Sequence, residues 1–293
     1  MGRDGPPGQG RTDARVNEAP ANGVDPGWLS LRGPADIRAR TTYAGDLTTR
    51  LNRHLTRRLR DEHGVVRLVD VGAGTGTGAR WLRERLPWEQ DWRLVDHDPR
   101  LLAAVPTMGE GWARGVVAGV ADLSALLADE PAHVVTCQAL LDILTTDETD
   151  AVISPAVASD AALLLSLNVT GEVDISPPHP DDKLVAEAFD AHQRRAGRLG
   201  PDAGPYAARV LTGHGYAVTM AATSWHLGAA ESALTREWLE GRAFAAAEQR
   251  PDQADRIGRW HEDRDRLAKR GELTAVVGHV DVLALPARWE ATA

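Results

Sequence analysis

The sequence predicts an α/β fold: a mostly parallel sheet with helices on both faces and further helices covering one end. Three observations carry this. From residue 66, short apolar runs alternate with helical stretches, the pattern of strands joined by helical crossovers. The first run leads straight into a glycine-rich turn, Gly72-Ala73-Gly74-Thr75-Gly76, and a helix follows. Two β-rich runs, Tyr216 to Ala222 and Leu273 to Leu285, flank the last long helical region.

Taken in order, residues 1–25 are rich in Gly, Pro, Asp, Asn and Arg without apolar period and predict a disordered leader. Order begins near Trp28. Asp36 to Arg60 reads as one or two helices, with Ile37, Tyr43, Leu47, Leu51, Leu55 and Leu59 at roughly helical spacing, so that 26–60 form an N-terminal helical cap. Strands are predicted at Val66–Val71, Trp92–Val95, Ala113–Val117, His133–Cys137 and Ala161–Val169. Between them lie helices at Ala79–Leu86, from Pro99, and at Leu123–Leu127. Leu184–Arg195 and Thr235–Arg270, the latter broken near Pro251, read as helices within two cover segments, 171–215 and 228–270. The two β-rich runs are expected to pair antiparallel at the sheet edge, completing one domain over 26–293.

Composition narrows the function classes. The chain has 293 residues, 43% hydrophobic, 26% charged and 5% aromatic, which fits a globular protein and excludes collagen-like, disulfide-rich and wholly disordered classes. Its formal charge of −9 repels phosphate backbones, and no basic-aromatic stripe offsets this, so nucleic acid is not the expected partner. Cys137 is the only cysteine, which rules out an intrachain disulfide. The first residues lack the apolar stretch of a secretory signal, and the best membrane candidate, Ala151 to Val169, is interrupted by Pro155 and Asp160. A cytoplasmic location without membrane partners is expected. Nothing in the sequence specifies an oligomeric state.

The chemistry concentrates around the glycine turn. Glycines there permit a tight turn and bring bare backbone close to a ligand, while the start of the following helix offers free N–H donors. Three aspartates stand at successive strand ends: Asp70, Asp96 (26 residues on) and Asp122 (26 further). In an open α/β sheet those ends line one crevice, where an acid after the second strand accepts from ribose hydroxyls. Singly, each aspartate is as readily a cap or turn residue.

Asp70-Val-Gly-Ala-Gly-Thr-Gly76 resembles the first motif of class I S-adenosylmethionine-dependent methyltransferases, and Val95-Asp96-His-Asp-Pro99 the second. Val135-Thr-Cys-Gln-Ala-Leu140 is similar to the fourth, although His133 stands where many members carry an acid. The resemblance implies a Rossmann-like sheet of seven strands with the last antiparallel, and S-adenosylmethionine as methyl donor to a small molecule. It implies that Asp70 orients the turn, that Gly72, Ala73, Gly74 and Gly76 line the methionyl and ribose portion, and that Asp96 binds the ribose. His97 would lie against the adenine, Asp122 would accept from its amino group with Leu123 alongside, and Gln138 would border the methyl-donor end.

Two other readings share these residues. Gly74-Thr-Gly-Thr-Gly-Ala79 matches the G-x-G-x-x-A fingerprint of nicotinamide-dependent oxidoreductases, but that fingerprint requires neither an acid at 70 nor a glycine at 72. A non-catalytic nucleoside-binding module on the same fold is the third. For catalysis, Asp142, just after the fourth strand, is the first candidate base, and equally a turn acid near Thr145. His192 faces the pocket from the cover or sits as a core-edge histidine. Arg32 and Arg40 suit a carboxylate clamp or a solvated surface. Trp28, Trp225 and Trp238 suit an acceptor pocket or the core. Cys137 reads as a small buried strand residue.

Overall fold

The computed structural model describes residues 25–43, 45–59, 64–103, 105 and 112–289; the predicted leader, apart from Asp25, lies outside them. Two helices open the chain, α1 (Pro26–Tyr43) and α2 (Gly45–Arg58). The alternating region follows as β1 (Val66–Val71), α3 (Thr77–Arg83), β2 (Gln90–Asp96), α4 (Pro99–Ala103), β3 (Ala113–Val117), α5 (Leu123–Asp129), β4 (Val134–Gln138), α6 (Thr146–Ala158) and β5 (Ala162–Ser176). The remainder is α7 (Asp182–Gln193), α8 (Ala203–Gly213), β6 (Tyr216–Ala222), β7 (Trp225–Leu227), α9 (Ser232–Gln249), α10 (Ala254–Lys269) and β8 (Thr274–Pro286).

The strands form one eight-stranded sheet in the order β3–β2–β1–β4–β5–β8–β6, with the short β7 also on β8. The contacts among β1 to β5 are parallel, and β8 runs antiparallel to its neighbours β5, β6 and β7. This is the Rossmann-like architecture expected, with one addition. The eighth strand, β7, is three residues long and carries no readable period. The two C-terminal runs do pair, but β8 lies inside the sheet and β6 forms the edge. The physical reason is burial: nearly every residue of β8 is buried, so both its faces and both its edges need cover, whereas β6 alternates with exposed positions and tolerates an open side.

Period-two alternation sends side chains to opposite faces. Val69 and Val71 pack with Leu123 and Leu127 of α5, Val152 and Ile153 of α6, and Ala207 and Leu211 of α8. Val66 and Leu68 pack on the other face with Leu47, Leu51 and Leu55 of α2 and Ala79 and Leu82 of α3. A third core joins Trp28 and Ala39 of α1, Val185 of α7, Trp238 of α9 and Trp260 of α10 to the outer halves of β5 and β8. Ile37, expected in the apolar stripe, is 41% exposed. The inward face of α1 is set by Trp28, Ala35, Asp36, Ala39 and Arg40, and at about 100° per residue Ile37 falls opposite. The stretch 151–169 divides between the end of α6 and β5, and no helix among the described residues is long and apolar enough to cross a membrane.

Candidate functional site

The tips of the parallel strands build the first half of the site. Register sets Asp70 beside Leu94 and Thr136, and Asp96 beside Val117, so the chain leaves β1, β2 and β4 at one level. The turn after β1 takes left-handed φ values of +66°, +55° and +75° at Gly72, Gly74 and Gly76. A Cβ on Gly72 would come within 2.7 Å of Leu140 Cδ2, so glycine is required there by space as well as by backbone. The Gly74 amide donates to Asp96 Oδ2 at 2.8 Å and the Asp98 amide to Asp96 Oδ1 at 2.9 Å, locking the carboxylate at the turn. Asp70 lies below, with Thr136 Oγ1 donating to its Oδ1 at 2.6 Å. Burial pushes its carboxyl up to about 6, opposed by the Thr136 hydrogen bond and the Arg40 charge.

Beneath these groups runs a buried polar network tying α1 to the sheet. Arg40 donates to Gln138 Oε1 at 2.9 Å and to Asp281 Oδ2 at 3.3 Å, with its guanidinium 3.8 Å from the Trp81 ring centroid. Gln138 in turn donates to Asp36 Oδ2 at 3.3 Å. Asp36 also accepts from Arg32 Nε and from Trp225 Nε1, each at 2.9 Å. Asp281 Oδ1 accepts from the Leu167 amide and from Thr223 Oγ1, each at 2.8 Å. It thereby fixes Leu167, whose φ is +55°, within a stretch where the β5–β8 register shifts. The shifts carry the outer halves of β5 and β8 away from the parallel sheet and open a second space above them.

Two cavities adjoin here. The first, about 890 Å³ counting space open to solvent, is lined by the glycine turn, Asp70, Asp96, His97, Leu101 and Gln138. The second, about 1120 Å³ on the same count, is lined by the outer strands and by Trp28, Asp142, Trp225, Trp238, Arg242 and His279. Leu29, Arg32, Ala139 and Ile143 belong to both walls, so the spaces meet between α1 and the end of β4. Ala139, at φ +51°, turns the chain at that junction.

Asp142 lines the second cavity. The cap of α6 is made by Thr145 and Glu148, which exchange hydrogen bonds, so Asp142 is not consumed as a turn acid. Its Oδ1 is buried without a hydrogen-bond partner, and burial raises its pKa, opposed by a hydrogen bond from its own backbone amide and by the Arg32 charge. His279 had no sequence signal. Its ring lies 4.8 Å from Trp225, and burial drives its pKa down to about 3. It is neutral, and its Nδ1, 3.0 Å from the Val277 carbonyl, must carry the proton, which leaves Nε2 as an acceptor.

The sequence candidates divide accordingly. Asp70, Gly72, Ala73, Gly74, Asp96, His97 and Gln138 come together around the first cavity, with Gly76 closing the turn beneath it. Trp28, Trp225, Trp238, Arg32 and Asp142 reach the second. Arg40 borders neither of these, lying 3% exposed in the network under the floor. Asp122 is exposed and accepts from the Gly119 amide, and Leu123 is buried in the core, both outside the two walls. His192 is also outside them: Phe189, Asp190 and Gln193 face the cavity, and His192, about a quarter-turn off, meets Glu248 at 3.1 Å. Cys137 is buried and burial raises its thiol far out of the reactive range. Among the described residues no cluster suited to a metal ion occurs.

No family model and no curated protein matches the chain. Among solved structures, it is similar to a cyclopropane-fatty-acyl-phospholipid synthase-like protein from Lactobacillus casei, at 9% identity over 82% of this chain and 92% of that one, with a TM-score of 0.49. It is similar to a SAM-dependent methyltransferase from Geobacter sulfurreducens, in complex with S-adenosyl-L-homocysteine, at 17% identity over 81% and 90% of the two chains and a TM-score of 0.38. A cyclopropane synthase from Mycobacterium tuberculosis aligns at 14% identity over 80% and 83%, with a TM-score of 0.40.

Proposed function

We propose that the chain is a class I S-adenosylmethionine-dependent methyltransferase acting on a small-molecule acceptor. The observation that carries this is the pair of adjoining cavities, one floored by bare glycine backbone and the Asp96 carboxylate, the other lined by Asp142, whose Oδ1 is buried without a partner. The first cavity fits a sulfonium nucleoside because its wall is backbone that a Cβ at Gly72 would obstruct. Each Asp96 oxygen, having accepted one amide, keeps a lone pair for a ribose hydroxyl. Gly72, Ala73, Gly74 and Gly76 present the methionyl and ribose surface and His97 lies against the adenine, while Asp122 and Leu123, outside the cavity walls, are given no contact with it. Gln138 borders the methyl end, and Arg40 acts through it as a positioning residue.

When bound, S-adenosylmethionine supplies an activated methyl group, so the main task of the chain is alignment and exclusion of water. The Arg32–Asp36–Gln138–Arg40 network fixes the junction through which acceptor and methyl carbon meet. Asp142 would take the proton that the acceptor atom gives up on being methylated. A raised carboxyl pKa brings its basicity closer to working pH, the condition for general-base catalysis. His279 accepts a hydrogen bond from the acceptor and remains neutral. Helices α1, α7 and α9 wall the second cavity with aromatic faces, a setting for a compact substrate.

Calorimetric titration tests this directly. S-adenosylhomocysteine is expected to bind the purified chain and NADH not to bind. The reverse would establish the oxidoreductase reading. Binding without any turnover of S-adenosylmethionine across acceptor panels would favour a non-catalytic nucleoside-binding module.

A further inference from the structure

The wall of the second cavity contains a buried cation that no side chain among the described residues pairs. Arg242, on α9, is 3% exposed and lines the cavity, and its Nη2 is buried without a hydrogen-bond partner. Its guanidinium lies 4.5 Å from the Phe189 ring centroid and 5.5 Å from that of Trp238. These rings hold the fork in place but use none of its N–H donors. Burial pulls its pKa down to about 10, with Asp190 and Asp182 acting only through space. The fold treats its other deeply buried arginines differently. Arg40 is matched by Asp281 and Gln138, and Arg264 by both oxygens of Asp182 and the Pro177 carbonyl. Where an arginine has a structural task here, a partner is provided. The cavity wall around Arg242 instead carries two more unpartnered buried atoms, Asp190 Oδ1 and Gln193 Oε1. Unsatisfied donors and acceptors sharing one cavity are what a bound polar ligand would complete.

Resting on the methyltransferase reading, we propose that the acceptor is a small organic acid whose single carboxylate docks on Arg242, with a flat apolar body against the tryptophan walls and a hydroxyl or amine directed to Asp142. A planar carboxylate matches the guanidinium fork. A dianion such as a phosphate monoester would face Asp142, Glu172 and Asp190 in the same cavity, so a monoanion is favoured.

The test uses matched probes with the S-adenosylhomocysteine complex of the full chain: benzoate, 4-hydroxybenzoate and indole-3-acetate against their neutral amides, with benzylamine as the cationic control. At least one carboxylate is expected to raise the Tm of the complex more than its amide does, and Arg242→Met to weaken that carboxylate by about thirtyfold or more. The Tm of the ligand-free Arg242→Met chain is expected to be unchanged or higher, because an unpaired buried charge is removed. The proposal is overturned if amides or benzylamine stabilise as well as carboxylates, if no carboxylate acts, or if Arg242→Met keeps the carboxylate affinity. A lower Tm of the ligand-free variant would overturn it too, marking Arg242 as a strut. S-adenosylhomocysteine affinity, measured alongside and expected to be equal in both proteins, separates the two ideas. If the wild-type chain fails to bind it, the methyltransferase reading falls; if it binds while the carboxylates are silent, only the organic-acid inference falls.

Discussion

The two cavities differ in how they are assembled. The first is local: turn, carboxylates and amides come largely from residues 70–98, and Asp96 and Asp70 are both held by hydrogen bonds within the fold. The second gathers residues from Asp25 to His279, and it leaves Asp142, Asp190, Gln193 and Arg242 each with an unpartnered buried atom. One half is finished before any ligand arrives. The other stores unsatisfied polarity for a ligand to complete, the pattern of a site that trades stability for chemistry.

The finished half is the one that substitution should damage most. Gly72→Ala places a Cβ in a left-handed backbone and against Leu140. The expected loss of stability is about 2–5 kcal/mol, combining about 1–2 for the conformation with about 1–3 for overpacking. Denaturant unfolding reads it, and adding Leu140→Ala should recover only the overpacking share. Full recovery would mean that the turn is more plastic than its φ values imply. Next in size, Asp96→Ala is expected to weaken S-adenosylhomocysteine by about 1–3 kcal/mol in calorimetry, since charge-assisted hydrogen bonds are lost. Unchanged affinity in a folded variant would take Asp96 out of the site.

His279 probes the other half through pH. Its folded pKa of about 3 lies below the ordinary 6.5, so the unfolded chain binds a proton that the folded chain refuses. Its contribution to stability is therefore complete above pH 6.5 and is lost progressively as pH falls toward 3. His279→Gln keeps an N–H for the Val277 carbonyl and removes the titration. Thermal unfolding should show the variant gaining on the wild type by about 1–2 kcal/mol near pH 5, with little difference at pH 8. Parallel curves would mean that the ring is wetter than its burial indicates.

The same contrast explains what the sequence made legible. The glycine turn, Asp70 and Asp96 at the strand tips and the alternation of strands with helices were readable because each depends on neighbours within one β–α–β unit. Asp142 was readable only as a position after β4; that its Oδ1 is buried without a partner depends on the surrounding fold and not on its neighbours in sequence. Trp225 could be named as a pocket candidate, but its hydrogen bond to Asp36 spans 189 positions and leaves no local trace. Arg40 likewise reads as a clamp until Asp281, 241 positions away, draws it under the floor. Arg242 and His279 sit in regular helix and strand, where periodicity assigns a face but not what that face meets. Placing β8 inside the sheet required weighing its continuous burial, which its apolar run suggests but does not specify.

The smallest effect discriminates most finely between the halves. Asp142→Asn removes a buried carboxylate whose folded pKa is raised, and a group of this sign supports the fold below its ordinary value of 3.8 and weakens it as pH climbs through the higher folded value. The variant should therefore match the wild type below pH 3.8 and become more stable as pH rises to neutral and above, by about 0.5–1 kcal/mol, the size usual for relieving a functional residue of strain. The equivalent change in the first cavity, Asp70→Asn, does not share this simplicity, because Thr136 and Arg40 engage that carboxylate and their loss offsets the relief of burial. If Asp142→Asn instead lowers stability at every pH, Asp142 is part of the frame, and the base must be sought elsewhere in the second cavity. If stability rises while turnover of S-adenosylmethionine disappears and S-adenosylhomocysteine still binds, the carboxylate is kept for its reaction and not for the fold.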